Sequence, residues 1–221
     1  MAQISASLLS MEKEKAVSTF YNLETAKIDY FHIDVMDGKF VKRNTMEDMQ
    51  EYALTLSHIT NIGLDVHLMV ENVEEIMDEY VMLEPHMISF HIEAITDFKR
   101  VFNIINDLKD NNIKVGIAIS PETDIESIKK YLPYIHMVLV MTVAPGAGGQ
   151  QLIPETLDKV KNLKKYIQDN NLSLDIEVDG GINNETVKQV IETGADILVV
   201  GSYLTNSENF FETVKQIKNE V

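Results

Sequence analysis

Eight times over, the chain follows a short apolar, β-branched run with a longer amphipathic stretch, and this alternation constrains its fold more than any other feature. Strands are predicted over residues 3–8, 30–36, 64–70, 87–92, 114–119, 137–143, 173–178 and 196–200. Helices are predicted over 12–23, 46–56, 73–80, 97–110, 125–131, 155–170, 184–192 and 209–219. Parallel strands joined by right-handed crossovers leave two unpaired edges unless the sheet closes, and eight units close economically. The expected fold is α/β, a single (β/α)8 TIM barrel, with an open doubly wound sheet as the alternative. A length of 221 residues and 45% hydrophobic content suit one domain spanning 1–221, and no linker, low-complexity tract or charge block marks a second.

Barrels of this kind carry their chemistry at the C-terminal ends of the strands. In the run His32-Ile33-Asp34-Val35-Met36-Asp37-Gly38, period-two alternation puts His32, Asp34 and Met36 on one face and Ile33 and Val35 on the other. His67 and Met69 repeat the pattern at the third strand end. His91 and Glu93 follow at the fourth, Met141 and Thr142 at the sixth, Asp179 at the seventh. Glu177 shares the face of Asp179 and either orients a ligand or pairs internally. Burying an imidazole beside a carboxylate is costly without a partner, and either a His–Asp hydrogen bond or one divalent metal supplies it. His58, His86 and His136 fall at helix ends or in loops, where a solvated histidine is expected.

Charge narrows the partners. Nineteen Lys+Arg against 35 Asp+Glu give a net charge of −16, which repels nucleic acid and anionic membrane. A phosphate site on such a chain has to be local, built from backbone N–H groups and helix N-termini. Glycines cluster where that requires: Pro145-Gly146-Ala147-Gly148-Gly149-Gln150, Gly180-Gly181 and Gly201-Ser202. With no cysteine, a metal is left with nitrogen and oxygen ligands. No apolar run reaches membrane-span length and residues 1–10 lack the pattern of a signal peptide, so a cytoplasmic location is expected.

The segments Ala6 to Leu9, His32 to Val41 (HIDVMDGKFV), Asp65 to Val70, Ser89 to Ala94, Val140 to Gln150 (VMTVAPGAGGQ), Glu177 to Ile182 (EVDGGI) and Gly201-Ser202 lie in order along nearly the whole chain. Together they resemble the ribulose-phosphate 3-epimerase family. The resemblance implies one divalent metal ion (Zn2+, Fe2+, Mn2+ or Co2+) bound by His32, Asp34, His67 and Asp179, with Asp34 and Asp179 as the acid/base pair. It implies substrate contacts from Ser7 and His67, Met36, Met69 and Met141 along an anionic intermediate, and Gly146, Ala147, Gly148, Gly149, Gly180, Gly181, Gly201 and Ser202 around the phosphate. From the residues alone, the methionines read as barrel filling, and Ser7 and His91 serve as readily as partners in a buried hydrogen bond. The implied reaction is C3 epimerisation of D-ribulose 5-phosphate to D-xylulose 5-phosphate through a cis-enediolate. Inverting a carbon beside a ketone takes two proton-transfer groups, and the second and seventh strands supply one acid each. Self-association into a homo-oligomer is expected.

Some positions depart from the family pattern. Ala6 stands where proline is usual, Lys42-Arg43-Asn44-Thr45-Met46-Glu47 replaces an apolar stretch, and Ala147 replaces a bulky aromatic. A less crowded wall at Ala147 and the basic pair Lys42-Arg43 keep a ketohexose 6-phosphate such as D-allulose 6-phosphate as an alternative substrate. A non-catalytic sugar-phosphate-binding barrel is a further alternative. A related decarboxylase would need Asp-x-Lys-x-x-Asp, which Asp34-Val35-Met36-Asp37 lacks.

Overall fold

The computed structural model describes residues 2–219, so the predicted domain limits 1 and 221 lie outside the described residues. Eight parallel strands form a closed barrel in sequence order: β1 (Gln3–Ser7), β2 (Tyr30–Met36), β3 (Gly63–Met69), β4 (Met87–His91), β5 (Lys114–Ile119), β6 (Met137–Met141), β7 (Asp175–Asp179) and β8 (Ile197–Val200). β8 pairs with β1, so no strand edge is left open. The surrounding helices are α1 (Ala16–Thr25), α2 (Met46–Ile59), α3 (Val73–Val81), α4 (Phe98–Asp110), α5 (Glu155–Asp169), α6 (Val187–Glu192), α7 (Ser202–Thr205) and α8 (Phe210–Asn219). Among the described residues, no helix is long and apolar enough to cross a membrane.

Alternation along the strands divides the core in two. Outward residues such as Ile33, Val35, Val66, Leu68, Ile117 and Val138 pack beneath the helices. Helix α4 meets them with Val101, Ile104, Ile105 and Leu108, all buried, at the i, i+3, i+4, i+7 spacing of one helical face. Each such side chain contributes about 1.5–3 kcal/mol when fully buried. Its first turn is capped by Asp97, whose carboxylate accepts the Lys99 N–H at 2.7 Å. Inward residues fill the lumen, with Tyr30, Met87, Ala118, Met137, Leu139 and Ile197 forming its apolar part.

One expected helix is absent. The 125–131 stretch forms a 3-10 turn, Ile125–Ser127, and a second, Leu132–Tyr134, completes the crossover. The Ser127, Ile128, Tyr131 and Tyr134 N–H groups all bond three residues back. Pro133 contributes to this: it offers no N–H for a helical bond back to Lys129, and the stretch before it is too short for a stable α-helix. Two histidines also depart from expectation. His58 is exposed, but His86 stacks on Tyr30 with centroids 5.0 Å apart, and the half-buried His136 accepts the Val115 N–H at 3.0 Å.

Gly116 faces the lumen from β5, where an added Cβ would lie 2.8 Å from both the Ser89 Cβ and the Met137 Cε. Overpacking of this kind costs about 1–3 kcal/mol. Gly116→Val is expected to lower the thermal unfolding midpoint by several degrees, and an unchanged or raised midpoint would show that the lumen has room.

Candidate functional site

Strand register assembles the polar side chains. The β2–β3 pairing sets Asp34 beside His67 and His32 beside Asp65; β1 brings Ser7 to His32, and β6 brings Met141 to Asp179. His32 Nε2 stands 3.4 Å from Asp34 Oδ1 and 3.9 Å from Asp179 Oδ2. His67 Nδ1 stands 3.5 Å and 3.7 Å from the same two oxygens. One donor atom from each of these residues lies within 4.8 Å of every other.

These separations are too long for good hydrogen bonds, and neither His32 Nε2 nor His67 Nδ1 has a partner although both are buried. Two imidazole nitrogens and two carboxylate oxygens facing one point fit a single divalent cation of the zinc, iron, manganese or cobalt kind. The remaining oxygen of Asp34 is held by Ser7, whose hydroxyl donates to Oδ2 at 2.7 Å. A second buried group, His32, Asp65 and Glu177, lies below the first. Asp65 Oδ2 is 2.6 Å from His32 Nδ1 and accepts the Ser5 hydroxyl at 2.7 Å. A carboxylate there makes Nδ1 the protonated nitrogen and leaves the Nε2 lone pair facing the cluster.

Electrostatics separate the two upper acids. Burial alone would raise Asp34, but His32 and His67 hold its carboxyl well below the usual range. Burial, reinforced by the charge of Asp34, pushes Asp179 up to about 7. The two carboxyls thus differ in the ease with which each holds a proton. Burial and the charge of Asp65 push the Glu177 carboxyl well above its ordinary range. Burial depresses His32, yet Asp65 and Asp34 outweigh it and raise its affinity for a proton.

Above the cluster a cavity of about 580 Å³ opens at the C-terminal end of the barrel. Ser7, Asp34, Met36, Met69, Met141 and Asp179 form its floor and near wall. Gly146, Ala147, Gly148 and Gly149 from the loop after β6, Gly180 and Gly181 after β7, and Gly201 and Ser202 after β8 form the far wall. His32 and His67 lie beneath, outside the wall. Gly181 has φ +69°, and a Cβ there would come within 2.4 Å of the Leu152 backbone nitrogen, so this position excludes side chains. No lysine or arginine lines the cavity among the described residues. Lys42 and Arg43 are exposed and outside it; Arg43 Nη2 donates instead to the Leu9 carbonyl at 3.1 Å.

Asp65 escaped the sequence reading although a usable signal was present. It lies two residues before His67, as Glu177 lies before Asp179, on the same inward parity and one step deeper. His91 and Glu93 also join the site: His91 Nε2 is 3.0 Å from His67 Nε2, and His91 Nδ1 is 2.9 Å from Glu93 Oε2.

Comparison with known proteins agrees with this arrangement. A family model described as the ribulose-phosphate 3 epimerase family matches residues 3–205. A protein of Methanocaldococcus jannaschii named ribulose-phosphate 3-epimerase is 37% identical over 218 residues, covering 99% of this chain and 90% of that protein. A Bacillus subtilis protein of the same name is 33% identical over 219 residues, 99% of each. Among solved structures, 3-keto-L-gulonate-6-phosphate decarboxylase from Vibrio cholerae superposes with a TM-score of 0.74 over 99% of this chain and 96% of that one. Its 13% sequence identity carries the barrel fold alone. With the family matched over most of its length and named relatives matched from end to end, this chain belongs to the ribulose-phosphate 3-epimerase family and is an isomerase.

Proposed function

We propose that the protein interconverts D-ribulose 5-phosphate and D-xylulose 5-phosphate, with His32, Asp34, His67 and Asp179 holding one divalent metal. The observation that carries this reading is the convergence of those four side chains at the floor of a cavity whose opposite wall is three glycine-bearing loops. The relatives named above favour the five-carbon substrate.

The substrate lies across the cavity with its phosphate toward Gly146–Gly149, Gly180, Gly181, Gly201 and Ser202. Because no cationic side chain lines that end, the phosphate is met by backbone N–H groups and hydroxyls. C3 and its flanking oxygens then lie over Asp34 and Asp179. Either aspartate, in its carboxylate form, takes the C3 proton from one side, and the other, protonated, returns a proton to the opposite side. The direction of epimerisation decides which acts first. A bound divalent cation supplies Lewis-acid stabilisation of the negative charge that the enediolate develops. Ser7 holds Asp34 Oδ2 in place, while Met36, Met69 and Met141 surround the anion with polarizable groups that donate no proton.

Ala147 gives one observation in favour of a second reading. It leaves the cavity wall open where a larger side chain would fill it, which suits a ketohexose 6-phosphate. The exposed Lys42 and Arg43 add nothing to that case.

Asp34→Asn and Asp179→Asn are each expected to reduce turnover on the order of a hundred- to ten-thousand-fold while leaving the thermal midpoint near that of the parent. Near-normal turnover by a folded Asp179→Asn protein would refute the acid/base assignment. Chelation should abolish activity, with recovery on adding Zn2+, Fe2+, Mn2+ or Co2+. Full activity in protein shown by elemental analysis to be metal-free would remove the metal from the scheme. Side-by-side assays should give a kcat/KM for D-ribulose 5-phosphate at least about tenfold above that for D-allulose 6-phosphate, equivalent to some 1.4 kcal/mol of transition-state discrimination. The reverse order would assign the six-carbon sugar.

A further inference from the structure

The proposed proton transfers leave His91 and Glu93 unused. His91 closes β4, fully buried, and Glu93 sits two residues on in the 3-10 turn Ile92–Ala94. The His67 and His91 rings are inclined by 25° with centroids 5.1 Å apart, and their Nε2 atoms are separated by 3.0 Å. Contact between two ring nitrogens at that distance, with rings near one plane, is an N–H···N hydrogen bond rather than a face-to-face stack.

Counting donors decides which nitrogen holds each proton. The 3.0 Å contact between His67 Nε2 and His91 Nε2 needs one N–H and one lone pair, so one of these nitrogens donates and the other accepts. Burial would raise Glu93, but His91, Thr123 and the Ser120 N–H hold it down at about 2, so it is a carboxylate and can only accept. Its Oε1 takes the Ser120 N–H at 2.7 Å and the Thr123 hydroxyl, leaving Oε2 for His91 Nδ1 at 2.9 Å. The Ser120 hydroxyl, 3.5 Å from the same nitrogen, is too distant to compete. His91 therefore carries its proton on Nδ1 and offers a lone pair at Nε2. His67 must fill that acceptor with an Nε2–H, which leaves the lone pair of His67 on Nδ1, the atom that faces Asp34 and Asp179.

We propose that Glu93 and His91 are positioning residues whose hydrogen-bond chain fixes the tautomer of His67 and so turns its lone pair onto the metal centre. The inference rests on the metal reading given above. It assigns to the fourth strand the same task that Asp65 performs for His32 from the third, with one extra imidazole spanning the longer distance.

Glu93→Gln is the discriminating variant because the Ser120 N–H can only donate. It forces the amide oxygen into the place of Oε1 and the amide NH2 toward His91. His91 Nδ1 must then accept, His91 Nε2 must donate, and His67 must carry its proton on Nδ1, pointing into the site. The measurements are Zn2+ affinity, by competition with a chromophoric chelator, and long-range 1H–15N NMR of the histidine rings in chelator-treated protein. The parent should show His67 protonated at Nε2 and His91 at Nδ1; Glu93→Gln should show both reversed and bind Zn2+ about 10–100-fold more weakly. Thr123→Val, which removes one donor to Oε1 without adding one toward His91, should keep the affinity within about twofold. A parent protein with His67 protonated at Nδ1 overturns the proposal, as does wild-type Zn2+ affinity in Glu93→Gln. The parent spectrum decides the tautomers even where the variant fails to fold, and neither readout uses substrate, so loss of the epimerase assignment leaves the test standing. Correct tautomers in a parent that binds no Zn2+ would overturn the metal reading and the chain's purpose with it.

Discussion

Two imidazole nitrogens, His32 Nε2 and His67 Nδ1, are buried at the barrel mouth with no hydrogen-bond partner, and the rest of the site follows from holding them there. A polar atom stripped of water and left unpaired costs about 1–3 kcal/mol, so the scaffold has to keep each ring from turning to a nearer partner. The closed sheet does this by register: Asp34 is the direct neighbour of His67, and Asp65 of His32, so each imidazole is flanked by a carboxylate on the adjacent strand. A change of one residue in that register would carry both polar side chains of the displaced strand to the helix-covered face.

Beneath the mouth lies a second polar tier that ordinary packing would not place in a barrel lumen. Asp65 and Glu177 are fully buried; burial would raise Asp65 but His32 draws it down, while burial and the charge of Asp65 push Glu177 well up. Asp65 Oδ2 meets His32 Nδ1 and the Ser5 hydroxyl, which offsets the cost of its burial, whereas neither oxygen of Glu177 has a hydrogen-bond partner. Polarity thus decreases with depth: Asp34 and Asp179 open to the cavity at the top, Asp65 and Glu177 below, and apolar Tyr30, Met87 and Met137 further down.

The far end of the cavity answers a different constraint. A chain with a net charge of −16 gives an anionic ligand no long-range attraction, and no basic side chain lines this wall to compensate locally. On the proposed reading close backbone approach takes that role; Gly181, pressed against Leu152 with φ +69°, admits no Cβ. Loops after β6, β7 and β8 converge there because consecutive strands of a closed barrel release their chains at the same rim.

Much of this was legible in the sequence because it depends on local periodicity. The boundaries of β2 and β5, the inward parity of His32, Asp34, His67 and Asp179, and the glycine-rich strand exits all follow from alternation that a linear reading detects. The crossover between β5 and β6 was misread as a helix because its apolar spacing is helical, whereas the stretch before Pro133 is too short for a stable α-helix and the crossover forms 3-10 turns. Asp65 went unassigned, and His91 and Glu93 unresolved, for another reason: their partners His32, His67, Ser120 and Thr123 are 24 to 33 residues distant, and a hydrogen bond of that span has no signature in either segment alone. The sequence by itself determined which residues face inward and at which end of the barrel, since strand parity and chain order suffice for that. Which nitrogen of each histidine faces the cluster was decided only by the tertiary structure, because a tautomer is set by the partner on the neighbouring strand.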